Sequence, residues 1–467
     1  MSNSVAEALR LVEPAFAPPL DPDFRPAVLA NRAFAVAVAR SGAGVPLVLG
    51  VERLNGQLSR YETTVFPDGH PEAGANLQYA ERIVKFLLWQ RGGWRVHVGG
   101  PSGIAEYFQR VYSATGDRAF DHQFMGEDVY EREFAIVPCA PEDVPTANEG
   151  GKDIGRHLDG CRIGFDLGAS DRKVSAVVDG EAIFSEEVVW DPKKHSDPDY
   201  HYREVRAALE TAAAKMPRLD AIGGSSAGIY VDNRAMIASL FRAIPKHRFG
   251  DVREMFLRLR DEFGVPLEII NDGDVTALAG AMSLEDNAVL GIAMGSSLAA
   301  GYVSADGTIM GWLNELAFAP VDYAPGAAVD EWSQDRGVGA PYFSQQCVFR
   351  LAPAAGIAVR EDITDAEKLE LVQAELDAGH EGARRIWETI GTYLGYAVAH
   401  YAEFYEVRHM LILGRVTSGS GGDIIVAKAR EVLAAEFPEL AAVNIQLPDE
   451  KSRRVGQSIA AASLPAL

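Results

Sequence analysis

The chain has 467 residues, and its composition of 48% hydrophobic and 24% charged residues is typical of a soluble globular protein with two or three domains. Its net charge of -22 argues against a broad nucleic-acid surface and against an anionic membrane, because both require clustered lysine and arginine. The three cysteines include no CxxC pair, which excludes a cysteine-cluster zinc site and fits a reducing cytoplasm. No basic segment followed by an apolar one occurs at the N-terminus, so no signal peptide is predicted.

The N-terminal third is predicted to form an extended arm and an added domain. Residues 1–30 are rich in proline and lack periodicity, which indicates an extended lead-in. Residues 31–150 are predicted to be an α/β extension of unknown role, and within it two alternating runs flank Asn55-Gly56, a strong hairpin signal. The polar segment 141–160, rich in glutamate, aspartate, glycine and proline, is the best candidate for a linker.

Residues 162–178 are predicted to form two strands joined by a tight turn, because hydrophobic residues alternate with small or polar ones on both sides of it. Asp166 ends the first strand. We call the connection the first small-residue turn, and it consists of Gly168, Ala169 and Ser170. Such a turn lets backbone N–H groups approach an anion, and the acid beside it is where a divalent metal on a nucleotide would sit, usually through water. The alternative is an ordinary hairpin.

Asn271 and Asp272 follow a predicted strand over residues 267–270 and directly precede a predicted helix over 275–282. The carboxyl ends of strands are where α/β proteins build their sites. At a helix N-terminus the Asp272 carboxylate would be held ionised and would point outward. The alternative is a helix cap without a further function.

A second strand–turn–strand unit follows the first by about 125 residues, which indicates internal duplication. The second small-residue turn consists of Gly295, Ser296 and Ser297. It divides an apolar stretch that otherwise approaches the length of a membrane span. Two such units predict an α/β architecture of two halves with a cleft between them.

These elements resemble the ROK family of sugar kinases and repressors over about residues 161–465. The family's first phosphate motif, D-x-G-G-T, is matched by Asp166 and the first small-residue turn. Its catalytic N-D segment is matched by Asn271-Asp272, and its second phosphate motif, G-T-G, by the second small-residue turn. Each motif alone is short, so the resemblance depends on their order and intervals.

Two further motifs of the family match later segments of the chain. The sugar motif G-x-A-G-E-x-G-H aligns with residues 311–318, which include Asn314 and Glu315. The glycine pair that contacts adenosine after a buried strand is matched by Gly414-Arg415.

The resemblance implies the actin/hexokinase-like ATPase fold, in which two ribonuclease H-like α/β lobes enclose a central cleft. The first lobe would comprise residues 161–285, with a C-terminal helix of about residues 452–467 packing back onto it. The second lobe would comprise residues 286–451. Residues 31–150 would then be an addition to the fold.

Several positions depart from the family's pattern. Ala169 replaces a glycine of the first phosphate motif, and Asp171 after the turn adds negative charge near the expected phosphates. Phe318 stands where the family has a histidine that binds sugar or zinc, and residues 337–342 replace the cysteine-rich zinc segment. No zinc is therefore expected, and the set of sugar contacts is incomplete.

The resemblance implies an ATP-dependent kinase that phosphorylates a hydroxyl of a sugar or sugar-like substrate, with ATP and Mg²⁺ as cofactors. Asp272 would be the catalytic base, and Asp166 would hold Mg²⁺ through water. The nucleotide would be bound by both small-residue turns and by Gly414-Arg415. The substrate would be held by Asn271, Asn314 and Glu315. A cytoplasmic homodimer without membrane contact is expected.

Two alternatives stay open. The substitutions in the phosphate and sugar motifs fit a catalytically degenerate sensor or ligand-binding protein. A transcriptional regulator would need a DNA-binding unit, but the extension is not basic and shows no clear recognition helix, although residues 80–98 would allow a winged form. Nucleic acid is therefore not an expected partner.

Overall fold

The computed structural model describes residues 9–151, 154–448 and 450–467, with side chains described from residue 456 onward in the last segment. Within these ranges the strands form three larger sheets and one two-stranded ribbon. No helix in these ranges is long and apolar enough to cross a membrane.

The N-terminal extension is an α/β unit. Its elements are α1 (Ala27–Ser41), β1 (Val45–Glu52), β2 (Leu58–Val65), α2 (Ala75–Arg91), β3 (Arg95–Gly99), α3 (Ser102–Val111), α4 (Ala119–Gln123), a π-helical segment (Phe124–Tyr130) and β4 (Ala135–Cys139). The sheet has the order β2-β1-β3-β4. The hairpin between β1 and β2 is present as predicted, because Asn55 and Gly56 adopt the left-handed conformation, with φ of 57° and 69°.

The arm is shorter than predicted. Residues 9–26 contain no helix or multi-residue strand, but α1 begins at Ala27, inside the segment 1–30 that was expected to be extended. The helix starts there because Ala27, Phe34 and Val38 recur at helical spacing and are buried. Residues 1–8 of the predicted arm lie outside the described ranges.

The extension packs onto the second lobe through one continuous hydrophobic core. This core contains residues of α1, α2 and α3 together with residues 290–302, 313–357 and most of the buried positions between 383 and 445. Phe24 of the arm contacts Tyr393 of the second lobe, with 4.7 Å between ring centroids. The extension and the second lobe therefore share one hydrophobic core. The boundaries of the domains stay predictions.

The first lobe is built on a five-stranded sheet. Its elements are β5 (Cys161–Leu167), β6 (Asp171–Val178), β7 (Glu181–Val189), α5 (Pro198–Ala213), β8 (Ala221–Ser226), β9 (Ile229–Val231), β10 (Arg234–Ile237), α6 (Phe249–Arg253), α7 (Met255–Phe263), β11 (Leu267–Asn271) and α8 (Asp272–Leu284). The sheet has the order β11-β8-β5-β6-β7, and β9 pairs with β10 in the separate ribbon. β5 lies in the middle and is buried on both faces, as parallel strands under helices are.

The second lobe contains a related four-stranded sheet. Its elements are β12 (Val289–Met294), β13 (Leu298–Val303), α9 (Gln345–Leu351), α10 (Asp365–Asp377), α11 (Glu381–Tyr401), β14 (His409–Leu413), α12 (Ser420–Glu436) and β15 (Asn444–Gln446). The order β13-β12-β14-β15 repeats that of β6-β5-β8-β11, and within the described residues no strand corresponds to β7. In both sheets an antiparallel hairpin adjoins parallel strands, which is the predicted duplication.

The last helix, α13 (Glu450–Ala462), returns to the first lobe. It approaches β5 and β8 closely because both strands carry glycine at the contact. A Cβ atom on Gly223 would lie 1.6 Å from the carbonyl oxygen of Ala461, and one on Gly164 would lie 2.0 Å from that of Ser458. The C-terminal helix of the chain therefore packs directly on the central strands of the first-lobe sheet.

A buried ionic network joins the extension to the loop over residues 319–344 of the second lobe. It contains three cationic and three anionic side chains, namely Glu81, Arg82, Lys85, Arg118, Asp121 and Asp335. Lys85 is 1% exposed, and its Nζ lies 2.8 Å from Asp121 and 3.3 Å from Asp335. Burial raises the pKa of Glu81, but Arg82 and Arg118 lower it to about 2.

We expect Lys85→Met to destabilise the protein by about 3–5 kcal/mol, because it leaves Asp121 and Asp335 buried with less positive charge. The free energy of unfolding is measured in urea. Lys428→Met, which removes an exposed ion pair with Glu431, is the control and should cost no more than about 1 kcal/mol. Equal losses for the two variants would contradict a structural role for the network.

Candidate active site

Strand β11 runs directly into α8, so that Asn271 ends the strand and caps the helix. The Asn271 Oδ1 atom accepts a hydrogen bond from the Gly273 N–H at 2.7 Å, and Nδ2 donates to the Gly228 carbonyl at 2.8 Å. The cap that the sequence assigned to Asp272 is therefore occupied by Asn271. Asp272 is the first residue of the helix, and its Oδ1 accepts from the same N–H at 3.0 Å.

Asp272 is a weaker acid than an ordinary aspartate, because its surroundings raise its pKa. Burial raises its pKa to about 6, and the negative charge of Asp166 contributes to the increase. Burial also raises the pKa of Asp166, whose Oδ1 accepts a hydrogen bond from Ser225 Oγ at 2.7 Å. Asp166 on β5 and Ser225 on β8 are register partners. Asp166 and Asp272 therefore both lie at the carboxyl end of the first-lobe sheet.

Asp274 is a buried acid close to Asp272 that the sequence analysis did not single out. It is 5% exposed, and its Oδ1 accepts from the backbone N–H of Tyr302 at 3.0 Å and from Asn314 Nδ2 at 2.9 Å. Burial raises its pKa to about 7. The sequence did contain a signal for it. Asp274 is the last residue of the N-D-G-D segment and is an acid in the first turn of the helix.

The two predicted substrate residues of the second lobe differ in their surroundings. Asn314 is 4% exposed; its amide group donates to Asp274 and accepts from the Tyr405 hydroxyl at 3.0 Å. Glu315 is half-buried. Burial raises its pKa to about 8, with contributions from Asp272 and Asp274. Four acids thus share this part of the molecule.

Helix α2 of the extension holds the backbone of this segment. The Asn314 N–H donates to the Gln90 carbonyl at 2.8 Å, and the Glu315 N–H donates to the Trp89 carbonyl at 2.9 Å. These carbonyl groups lie in the last turn of α2, where a helix has no partners for them of its own. Phe318 packs on Trp89 with 4.3 Å between ring centroids, so the position where the ROK motif has a histidine is filled by an aromatic contact with the extension.

In each small-residue turn the glycine N–H group is already hydrogen-bonded to a nearby backbone carbonyl. The Gly168 N–H donates to the Asp171 carbonyl at 2.9 Å, and the Gly295 N–H donates to the Ser297 carbonyl at 3.0 Å. The two residues after each glycine are exposed, namely Ala169, Ser170, Ser296 and Ser297. An anion would therefore reach the later residues of each turn before it reached the glycines.

Gly414 lies beside the second small-residue turn. Its φ is 100°, and a Cβ atom there would lie 2.4 Å from the carbonyl oxygen of Met294, the residue before Gly295. Arg415 is exposed. The structure therefore brings Gly414-Arg415 and the second turn together at the carboxyl ends of β12 and β14.

A cavity of about 100 Å³ lies where the extension and both lobes meet. Its walls include Arg53 and Tyr130 from the extension, Gly228, Tyr230, Asn271 and Asp274 from the first lobe, and Trp312 and Leu313 from the second.

No group of three or more potential metal ligands occurs among the described residues. Mg²⁺ does not need such a group, because it is usually held by one or two carboxylates, several waters and substrate phosphates. Asp166 offers one such carboxylate. The expected absence of zinc stays a prediction.

The first turn of α8 packs against β13 through two glycines. A Cβ atom on Gly301 would lie 2.1 Å from the carbonyl group of Gly273, and one on Gly273 would lie 2.3 Å from the carbonyl oxygen of Ala300. Any side chain at these positions would therefore displace the turn that carries Asp272 and Asp274.

Gly301→Ala should lower the free energy of unfolding by about 1–3 kcal/mol, because the new methyl group overlaps the backbone of α8. Urea unfolding measures the change. Gly250→Ala is the matched control, since a Cβ atom on Gly250 would have no neighbouring atom within 4 Å, and a change within about 0.5 kcal/mol is expected. Wild-type stability of Gly301→Ala would contradict the close contact.

Glu315→Gln should change how stability depends on pH. Folded Glu315 keeps its proton up to about pH 8, whereas the unfolded chain releases it near 4.5, so the folded state binds more protons between these values. Wild-type stability therefore falls as pH rises through this window, and the variant loses that part of the decrease.

Urea unfolding at pH 5 and pH 8 tests this dependence. The free energy of unfolding of Glu315→Gln minus that of wild type should be larger at pH 8 than at pH 5. The expected increase is at least about 1.4 kcal/mol, which corresponds to one pKa unit. Glu106→Gln, at an exposed position, should show the wild-type difference between the two pH values. A parallel response of both variants would contradict a Glu315 side chain that stays protonated in the folded protein.

Known proteins resemble this chain in structure rather than in sequence. No protein-family model matches it, and no curated protein matches it. A ROK hexokinase from Thermus thermophilus is similar in structure, with 17% identity and a TM-score of 0.52 over 65% of this chain and 97% of that one.

A second solved structure, a ROK family transcriptional regulator described as a homolog of the E. coli MLC protein, has 17% identity and a TM-score of 0.51. The match covers 66% of this chain and 79% of that one. The predicted α/β class with duplicated actin/hexokinase-like lobes is confirmed, and the chain has the fold of the ROK family proteins.

Proposed function

We propose that this protein is a member of the ROK family and an ATP-dependent kinase that phosphorylates a hydroxyl of a sugar or sugar-like substrate. The observation that carries the proposal is the Asp272 carboxylate, presented on the first residue of α8 while Asn271 serves as the cap. Its pKa of about 6 suits a general base that works near neutral pH.

Asp272 would accept the proton of the attacking hydroxyl. At pH 7 most of the Asp272 side chains are ionised, yet each binds a proton more strongly than an ordinary aspartate does. Glu315 would contact a neighbouring hydroxyl of the substrate. Asn271 and Asn314 would act mainly by positioning, since their amide groups already hold the loop at Gly228 and the Asp274 carboxylate.

The nucleotide would be bound at the carboxyl ends of both sheets. We assign the phosphate contacts to the exposed residues of the two small-residue turns, and the nucleoside end to Gly414-Arg415. Asp166 would hold Mg²⁺ through water, and the ion would neutralise the phosphate charge during transfer. The predicted cofactors ATP and Mg²⁺, the homodimer and the cytoplasmic location all belong to this proposal.

A sensor without catalytic activity is the second candidate. The observation that favours it is the first small-residue turn, where Ser170 Oγ donates to Asp171 at 3.1 Å and Lys173 Nζ lies 3.3 Å from the same carboxylate. A carboxylate that engages both the serine and the lysine beside a phosphate site weakens the attraction for phosphate.

A DNA-binding role has less support from the extension. Fourteen of the 17 residues of α2 are buried, so this helix cannot enter a major groove as the winged arrangement of residues 80–98 would require. The similarity to a ROK regulator concerns the fold.

Asp272→Asn tests the kinase proposal. It should lower kcat by about two to four powers of ten, because general-base catalysis contributes that much, while nucleotide affinity changes little. ATP consumption is measured with Mg²⁺ across a panel of neutral sugars and polyols. Asp261→Asn, at an exposed position on α7, is the control and should retain wild-type turnover.

Two outcomes would contradict the proposal. Wild-type turnover by Asp272→Asn would remove the assigned base. Nucleotide-induced thermal stabilisation of the wild type, without ATP consumption on any member of the panel, would favour the sensor.

A further inference from the structure

Asn314 is held in the left-handed backbone conformation, with φ of 51°. This conformation costs energy for any residue with a Cβ atom, although asparagine tolerates it better than most. A residue keeps such a conformation where the surrounding structure fixes it, and such positions concentrate at functional sites. Asn314 directly precedes Glu315, so its backbone determines where the Glu315 side chain starts.

Three separate segments hold Asn314. In helix α2 of the extension, the Gln90 carbonyl accepts its N–H at 2.8 Å. On α8, Asp274 accepts from its Nδ2 atom at 2.9 Å, and the Tyr405 hydroxyl, which follows α11, donates to its Oδ1 atom at 3.0 Å. Asn314, Asp274 and Tyr405 are all buried. The amide group is therefore hydrogen-bonded at both its nitrogen and its oxygen.

The partners of the amide also dictate its orientation. Asp274 Oδ1 already accepts from the backbone N–H of Tyr302 in β13, at 3.0 Å. It is an acceptor towards Asn314 as well, so the donating Nδ2 atom of the amide must face it. Asp274 thus links the first turn of α8 both to a strand of the second lobe and to the segment that carries Glu315.

The Glu315 carboxyl group has no such support of its own. It has no hydrogen-bond partner among the described residues, and its pKa is raised by burial and by the charges of Asp272 and Asp274. Its position therefore depends on the backbone of residues 314–315. That backbone is held by two carbonyl groups of α2 and, through the Asn314 amide, by Asp274.

We propose that Asp274 is a positioning residue for phosphoryl transfer: through the Asn314 amide it fixes the backbone from which Glu315 contacts a hydroxyl of the acceptor. The inference rests on the proposed function, which assigns that contact to Glu315. It adds that the first lobe and the extension together orient a substrate residue of the second lobe. Asp274 itself takes no part in the proton transfer that is assigned to Asp272.

Asp274→Asn and Asp274→Ala form a matched pair that separates the hydrogen bonds from the charge. Both variants remove the same negative charge beside Glu315. Only the asparagine keeps an oxygen that accepts from Asn314 and from the Tyr302 N–H. KM for the acceptor should therefore be about 3- to 10-fold higher in Asp274→Ala than in Asp274→Asn, which is what one hydrogen bond contributes, while kcat stays similar.

Asn314→Gly tests the route through the amide. Glycine adopts the left-handed conformation freely, so this variant removes the side chain without straining the backbone. It should raise KM about as much as Asp274→Ala does. The double variant should raise KM no further, because the effects of two residues in one hydrogen-bond network do not add.

Asp220→Ala controls for a general loss of stability. Asp220 Oδ2 accepts from the backbone N–H of Cys161 at 2.8 Å. Both residues lie at the amino end of the first-lobe sheet, whereas Asp166 and Asp272 lie at its carboxyl end. The Asp220→Ala variant should have a lower melting temperature and the KM of wild type.

The experiment uses the full chain and has two readouts. ATP consumption with the neutral sugar or polyol that wild type uses best gives KM and kcat separately. Urea unfolding at pH 5 and pH 8 gives the effect of Glu315→Gln on the pH dependence of stability, which reports whether the Glu315 carboxyl group keeps its surroundings. This effect should be smaller in the Asp274→Ala background than in the Asp274→Asn background, although both lack the same charge.

Three kinetic outcomes would overturn the inference: equal KM values of Asp274→Ala and Asp274→Asn, a lower kcat of Asp274→Ala without a change in KM, or additive effects of Asp274→Ala and Asn314→Gly. Failure of the proposed function is distinguishable, since a wild type that consumes no ATP contradicts the kinase while the urea readout still tests Asp274. An equal effect of Glu315→Gln in both backgrounds would overturn the positioning role, and a smaller effect with alanine would support it.

Discussion

The first turn of α8 is the contact on which the rest of the site depends. It starts at the end of a first-lobe strand, and its Gly273 packs without intervening side chains against Gly301 of the second lobe. Asn271 ties the turn to the Gly228 loop on one side, and Asp274 ties it to the backbone of β13 on the other. The turn that carries Asp272 is therefore anchored to both lobes by short contacts.

The N-terminal extension takes part in the same construction. Its helix α2 supplies the last-turn carbonyl groups that hold Asn314 and Glu315, and its buried charges hold Asp335 in the neighbouring loop. In the described residues the second sheet lacks a counterpart of β7, and the extension shares the second lobe's core. The extension therefore helps to position the backbone of Asn314 and Glu315.

The site also carries an electrostatic cost. Burial raises the pKa values of Asp272, Asp274 and Glu315 to about 6, 7 and 8, because these carboxyl groups are removed from water and lie close to one another. Desolvated acids of this kind reduce stability at neutral pH, since the unfolded chain would release their protons to water. Groups perturbed in this way concentrate at functional sites, which makes this cluster of acids a candidate site.

Local patterns in the sequence were enough to predict the hairpins with their small-residue turns and the acid at the end of β11, because strand alternation and turn chemistry are encoded by neighbouring residues. They underestimated α1, whose buried residues follow a proline-rich segment. The tertiary structure was needed to establish that Asn271 is the cap and that Asp274 engages Asn314. These outcomes depend on atoms from segments far apart in the chain, and no local pattern records which of them meet.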